Sequence, residues 1–108
     1  MSIETIDLAD LPSGNFEGRD HGASISIIVE RDLGRGLGPR LHRHPYDETF
    51  VVQAGSAVFT VADRQVTVSA GQLLVAPANT PHRFESLGGY SGIHIHSSDR
   101  FITEWLEE

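Results

Sequence analysis

The 108-residue sequence predicts an all-β fold, an antiparallel sandwich or barrel closed by one short C-terminal α-helix. Three observations lead there. Short β-rich runs follow one another from Ala23 to His96 with tight breaks between them, no strand–helix–strand alternation occurs, and the hydrophobic period changes only at the end. Hairpin after hairpin means antiparallel pairing, and so many short strands in one small chain must roll up to cover their edges. A chain of this size buries roughly two thirds of its unfolded surface and has no material for a second core. One domain over residues 1–108 follows.

Residues 1–22 read as an N-terminal arm of mixed composition, with "LPSGNFEG" as loop. The barrel is expected over 23–96. Its first run, "ASISIIVERDL", alternates and sets Ile25, Ile27 and Val29 on one face, and "GRGLGP" then interrupts it. The runs "RLHRH", "ETFVVQA", "AVFTVA", "QVTVS", "QLLVA", "PHRFESL" and "YSGIHIH" follow, separated at Pro45–Asp47, Gly55–Ser56, Asp63–Arg64, Ala70–Gly71, Pro77–Thr80 and Gly88–Gly89. In the last run the apolar default turns Ile93 and Ile95 inward and leaves His94 and His96 outside or at a subunit interface. The opposite facing would line a pocket with the two histidines. In "DRFITEWLEE", Phe101, Ile102, Trp105 and Leu106 share a stripe at helical spacing, so a helix over 98–107 is expected to pack on the sheet, with Trp105 as core.

Composition removes several chemistries. All eight cations are arginine and cysteine is absent, which excludes Schiff-base lysines, thiol nucleophiles, disulfides, zinc–thiolate sites and iron–sulfur clusters. A formal charge of −7 without a basic cluster argues against nucleic-acid binding. No apolar run is long enough for a membrane span, and the acidic start lacks the features of a secretory signal, so a cytoplasmic address is expected. "GRGLG" fails as a phosphate loop because Pro39 stands in the place of the third glycine and a strand follows, and it reads instead as a flexible lip. No serine lies in a nucleophile elbow. His21 receives no role.

The histidines remain. In a strand, His42 and His44 point the same way about 6.6 Å apart, a separation one metal ion can bridge. The Pro45–Asp47 break lets Glu48 swing its carboxylate toward them. Taken alone this is half a metal site, and two solvated histidines on a polar strand are the ordinary alternative. His82 lies forty residues beyond His42, after a turn at Pro77–Thr80, where a small antiparallel barrel could bring it in as a further ligand.

These spacings resemble the cupins, in the form of a small single-domain member, and the resemblance implies that the barrel is an antiparallel jelly roll (double-stranded β-helix). The first cupin motif is met in full by Gly36, His42, His44, Glu48 and Gly55, and the second by Gly71, Pro77 and His82. Asn79 replaces the second motif's later glycine and can adopt the left-handed turn that glycine supplies. Ser86 replaces its asparagine, which puts one supporting hydrogen bond in question. The resemblance implies one divalent transition metal per chain, held by His42, His44, Glu48 and His82. Three imidazoles and a carboxylate suit Fe, Mn, Ni, Cu or Zn and disfavour Ca and Mg.

Open coordination positions would serve catalysis. The resemblance implies a dioxygenase, isomerase or cyclase acting on a small oxygen-bearing organic molecule, with Glu48 doubling as proton acceptor. A non-enzymatic module binding a small ligand or metal is the alternative. Arg40 could clamp an anion at the barrel mouth or simply be solvated. Tyr46, Phe50, Phe59 and Phe84 are candidate pocket walls, with His94 and His96 if they turn inward. An exposed sheet edge and flat face make a homodimer the expected assembly.

Overall fold

The structure, a computed structural model, describes residues 3–108. Ten strands form in chain order: β1 (Asn15–Phe16), β2 (Ser26–Leu33), β3 (His42–Arg43), β4 (Glu48–Ala54), β5 (Ser56–Val61), β6 (Arg64–Ser69), β7 (Leu73–Ala76), β8 (His82–Ser86), β9 (Tyr90–His96) and β10 (Glu104–Trp105). They make two five-stranded sheets, β1-β2-β9-β4-β7 and β10-β3-β8-β5-β6. Every pairing is antiparallel. Each β-rich run became a strand within a few residues of its expected bounds, because the breaks between them are residues that turn. Asn79 is one of these, with a φ of 62° in the left-handed region its place in the motif requires.

Inward positions change character along the barrel, layer by layer. Glu48 lies opposite His96, and His42 opposite His82. In the next layer Phe50 meets His94, and Phe59 meets Phe84. Beyond these, Val52, Ala57, Val68 and Tyr90 complete a buried apolar cluster. Aromatic rings pack edge to face through its centre, with Phe50 and Phe59 4.8 Å apart. One end of the barrel is therefore packed mainly with hydrocarbon, broken by the Tyr90 hydroxyl and by Glu30 opposite Gly92, and the other is a cup of polar side chains. Gly92 is required by a close approach, since a Cβ there would lie 2.7 Å from the Tyr90 hydroxyl, which folds back over it.

The C-terminal helix is not present. Among the described residues there is no α-helix, only three-residue 3-10 turns at Leu8–Asp10, Pro12–Gly14 and Gly18–Asp20. The segment after Arg100 is instead extended, and β10 pairs with β3, setting Trp105 opposite His42 and Glu104 opposite Arg43. A ten-residue helix is marginal in water, whereas the edge of β3 offers backbone partners. Leu106 donates its N–H to the Leu41 carbonyl at 3.0 Å, and the Arg43 guanidinium meets the Glu104 carboxylate at 2.8 and 3.1 Å. In the extended form it is the alternation of Phe101, Thr103 and Trp105 that faces inward.

The outer face of the β2-β9-β4-β7 sheet carries two cross-strand rows, Ile27–Ile95–Thr49–Val75 and Val29–Ile93–Val51–Leu73. Leu73 and Val75 at its edge are exposed. The isoleucines of β9 thus sit outside, the reverse of the apolar default. Among the described residues, no helix is long and apolar enough to cross a membrane.

Candidate metal centre

His42 and His44 leave the same face of one sheet, and the turn at Pro45–Asp47 carries the chain across to the other, where Glu48 opens β4. Two bonds tie this turn to the one that delivers His82: the Asn79 N–H donates to the His44 carbonyl at 2.7 Å, and the Ala78 N–H donates to Asp47 Oδ1 at 3.0 Å. His42, His44, Glu48 and His82 are all buried, and each offers a ligand atom within 4.8 Å of the others.

Backbone carbonyls fix how the three imidazoles present themselves. The Nδ1–H of His42 donates to the Arg40 carbonyl at 2.6 Å, that of His44 to Ile102 at 2.8 Å, and that of His82 to Thr80 at 2.9 Å. A neutral imidazole that donates from Nδ1 has only a lone pair on Nε2. Yet the Nε2 atoms of His44 and His82 each lie 3.0 Å from Glu48 Oε1. Lone pairs so close to a carboxylate oxygen repel unless a cation lies between them. A proton can serve one such contact, while a metal ion at the common focus serves all of them, so these residues fit a transition metal.

The electrostatics agree. Burial pushes His42 down to about 4, assisted by the neighbouring imidazoles of His82 and His44, so it is neutral and ligand-competent at neutral pH. Burial alone would raise Glu48, but its contacts with His44, His82 and His96 outweigh that and hold the carboxyl well below the usual carboxylate range.

His94 and His96 both turn inward and are buried, which corrects the outward placement. Their polar contacts explain why. His96 Nε2 lies 3.1 Å from Glu48 Oε2, and its Nδ1 is 2.7 Å from the Tyr46 hydroxyl. That hydroxyl accepts the Ile102 N–H at 3.3 Å. His94 Nε2 meets the Tyr90 hydroxyl at 2.6 Å. Polar partners inside the barrel outweigh the hydrophobic default of the isoleucines.

A cavity of about 420 Å³ opens above the donor cluster. Phe50, Phe84, His94 and His96 line it, while Tyr46, Phe59 and Arg40 do not. Tyr46 stacks behind His44 with ring centroids 4.9 Å apart, and Phe59 belongs to the apolar core. Arg40 stands exposed at the rim, its guanidinium 4.7 Å from the Trp105 ring centroid. Trp105 is itself half exposed and packs 5.1 Å from the His42 ring, so its expected place in a helical core is corrected. Gly38 and Pro39 of the expected lip do reach the cavity. That loop is anchored, with the Gly36 N–H bonded to the Ser86 carbonyl and the Ser86 N–H to the Leu37 carbonyl, both at 2.8 Å. Ser86 retains a supporting role, its hydroxyl donating to the Leu33 carbonyl at 2.9 Å.

Sequence reasoning missed Glu30, Phe101 and Thr103, which also line the cavity. In "SIIVE" both faces are apolar up to the glutamate, so alternation could not say which face turns in.

Two sheets closing over three imidazoles and a carboxylate define a small β-barrel with a buried donor cluster suited to a transition metal. The cupin-domain family model matches residues 29–92, more than half of the chain, and the chain belongs to the cupin family. No curated protein matches it.

Solved structures with the same fold include oxalate decarboxylase from Bacillus subtilis, described with Mn(II) centres (TM-score 0.77, 23% identity, covering 85% of this chain and 27% of that one). KdgF from Halomonas sp. gives a TM-score of 0.65 at 23% identity, with 71% and 72% covered. A cupin superfamily protein from Desulfitobacterium hafniense DCB-2 gives 0.60 at 20%, with 68% and 65% covered. The chain thus spans about a quarter of the length of the decarboxylase.

Proposed function

We propose that this cupin is a metal-dependent enzyme acting on a small oxygen-bearing organic molecule, in the manner of a dioxygenase, isomerase or cyclase. The observation that carries the reading is the tautomer lock. Three imidazoles are held by backbone carbonyls, His44 and His82 with Nε2 3.0 Å from one carboxylate oxygen and His42 beside them in the same donor group, at the floor of a cavity large enough for a small molecule. His42, His44, Glu48 and His82 would hold one divalent transition ion, with Fe, Mn, Ni, Cu and Zn all compatible with the donor set. Such an ion supplies Lewis acidity toward a bound oxygen group or, when redox-active, oxygen activation. The Mn(II) centres of the oxalate decarboxylase that shares the fold are in keeping with this.

The chain's own residues do the rest. Phe50, Phe84 and Phe101 form an apolar wall that excludes water and confines a flat ligand. Glu48, kept ionised, contributes the negative charge a cation needs, with Oε2 3.1 Å from His96 Nε2 and Oε1 toward His44 and His82. As proton acceptor Glu48 is positioned at the cavity floor. His94, pushed down to about 4 by burial, stays neutral beside the aromatic wall.

The test uses untagged protein, its metal measured by elemental analysis, assayed for oxygen consumption and turnover against diketones, catechols and hydroxy acids. Turnover that disappears in Glu48→Gln supports the enzyme. Tight binding without turnover across the whole panel would instead favour a ligand-binding module. We also infer that two copies associate through the apolar rows outside β2, β9, β4 and β7, a self-matching face on a strongly acidic chain. Sedimentation of wild type against Val75→Glu distinguishes dimer from monomer.

A further inference from the structure

The cavity has a second charged pole. Of the residues that line it, only Glu30 and Glu48 carry a formal charge, and neither lysine nor arginine is among them. Glu48 is committed to His44, His82 and His96. Glu30 is not: among the described residues its carboxylate has no hydrogen bond or ion pair, although it is half-buried and burial raises its pKa. An unpartnered carboxylate in that position is costly unless something completes it.

Its placement says what would. Glu30 pairs with Gly92 in the β2–β9 register. The glycine is four residues from His96, or about 13 Å of strand, so this pole is well separated from the donor cluster. The Tyr90 hydroxyl lies over Gly92 and meets His94 Nε2, which makes this end of the cavity polar as well as acidic. Between the poles the wall is aromatic, with Phe50 and Phe84 packed around the His94 ring at 4.8 and 5.2 Å. Arg40, over the Trp105 ring, lies outside the lining.

We propose that Glu30 selects the substrate. The cavity takes a small molecule with oxygen ligands at one end, facing the donor cluster, and an ammonium group at the other, facing Glu30, and it rejects dianions such as dicarboxylates. This rests on the metal-dependent reading above and adds to it a chemical class. A negative ligand end would face an uncompensated carboxylate, whereas an ammonium would both neutralise it and satisfy its lone pairs.

The test uses the full chain loaded with Zn(II), which is redox-inert, and calorimetric titration with three probes: catechol, dopamine and dihydroxyphenylacetate. All share the oxygen pair, and the last two differ in the charge at the far end. At about pH 8, above the usual carboxylate range, wild type is expected to bind dopamine at least about tenfold more tightly than dihydroxyphenylacetate. Glu30→Gln, with unchanged melting temperature and metal content, should weaken dopamine about tenfold and leave catechol within about twofold. If wild type binds the two charged probes equally, while catechol binds only in the presence of zinc, this inference falls and the metal-dependent reading stands. If catechol fails to bind, or binds the chelator-stripped protein as well, both fall.

Discussion

Replacing Tyr46 by phenylalanine removes one buried oxygen that never touches the donor cluster, yet metal affinity is expected to fall. The hydroxyl is held protonated, its pKa pushed up to about 12 by burial. It therefore donates to His96 Nδ1 at 2.7 Å, which leaves the His96 proton on Nε2, 3.1 Å from Glu48 Oε2. Without the hydroxyl, Nδ1 loses its partner and the imidazole can turn or change tautomer, releasing the second carboxylate oxygen.

Leaving a buried polar atom unpaired costs about 1–3 kcal/mol. Groups that orient metal ligands are worth about 10–100-fold in affinity. Tyr46 acts through an intermediary, so the lower end, about tenfold or ~1.4 kcal/mol, is the expected loss. Competition with a chromophoric chelator measures it, and melting of the metal-free proteins gives the accompanying stability change, expected to be about 4 °C or more. An affinity within about twofold of wild type, with the melting temperature lowered, would refute the relay and leave Tyr46 only a packing role.

Three further outcomes are expected. Chelation should lower the melting temperature, by an amount corresponding to about 2.7 kcal/mol when free metal stood at about a hundred times its dissociation constant. His42→Ala should abolish that difference, and a melt unchanged by complete metal removal would contradict a stabilising site. Metal-free protein should lose stability as pH falls from 6.5 toward about 4, because His42 and His94 bind protons there only once unfolded. The depressed Glu48 adds its share only below 4.5, so melts that stay flat until that point would count against the histidines. Finally, Asn79→Ala should cost ~1 kcal/mol in urea unfolding while Asn79→Gly costs nothing, since the φ of 62° is strained only for a side chain that cannot bond locally. Equal losses would refute that account.

The strands from Ser26 to His96 were legible because their breaks are chemical: Pro45–Asp47, Asn79 and the paired glycines can turn, and the runs between them alternate. His42, His44, Glu48 and His82 could be placed together because their spacing carries them. The facing of "IHIH" was not legible in this way. Its two residue sets alternate symmetrically, and the decision rests on Glu48, Tyr46 and Tyr90, which only the folded register brings opposite. The final segment misled for a related reason. Four apolar residues in ten satisfy a helical stripe and a strand alternation almost equally, and the unpaired edge of β3, far away in sequence, settles the choice. Glu30 stayed hidden because Ile28 and Val29 gave either face of β2 an apolar claim to the interior.

The extended tail also bears on how the protein is made. His42, His44, Glu48 and His82 emerge from the ribosome well before Ile102, whose carbonyl holds His44 in the tautomer that frees Nε2 and whose N–H braces Tyr46. Synthesis runs from the N-terminus at about 5–20 residues per second. A nascent chain thus has all four ligands, for a time, without the clasp that orients one of them. Any metal capture in the finished geometry would therefore be a late event in biogenesis, timed by when this segment lies down along β3.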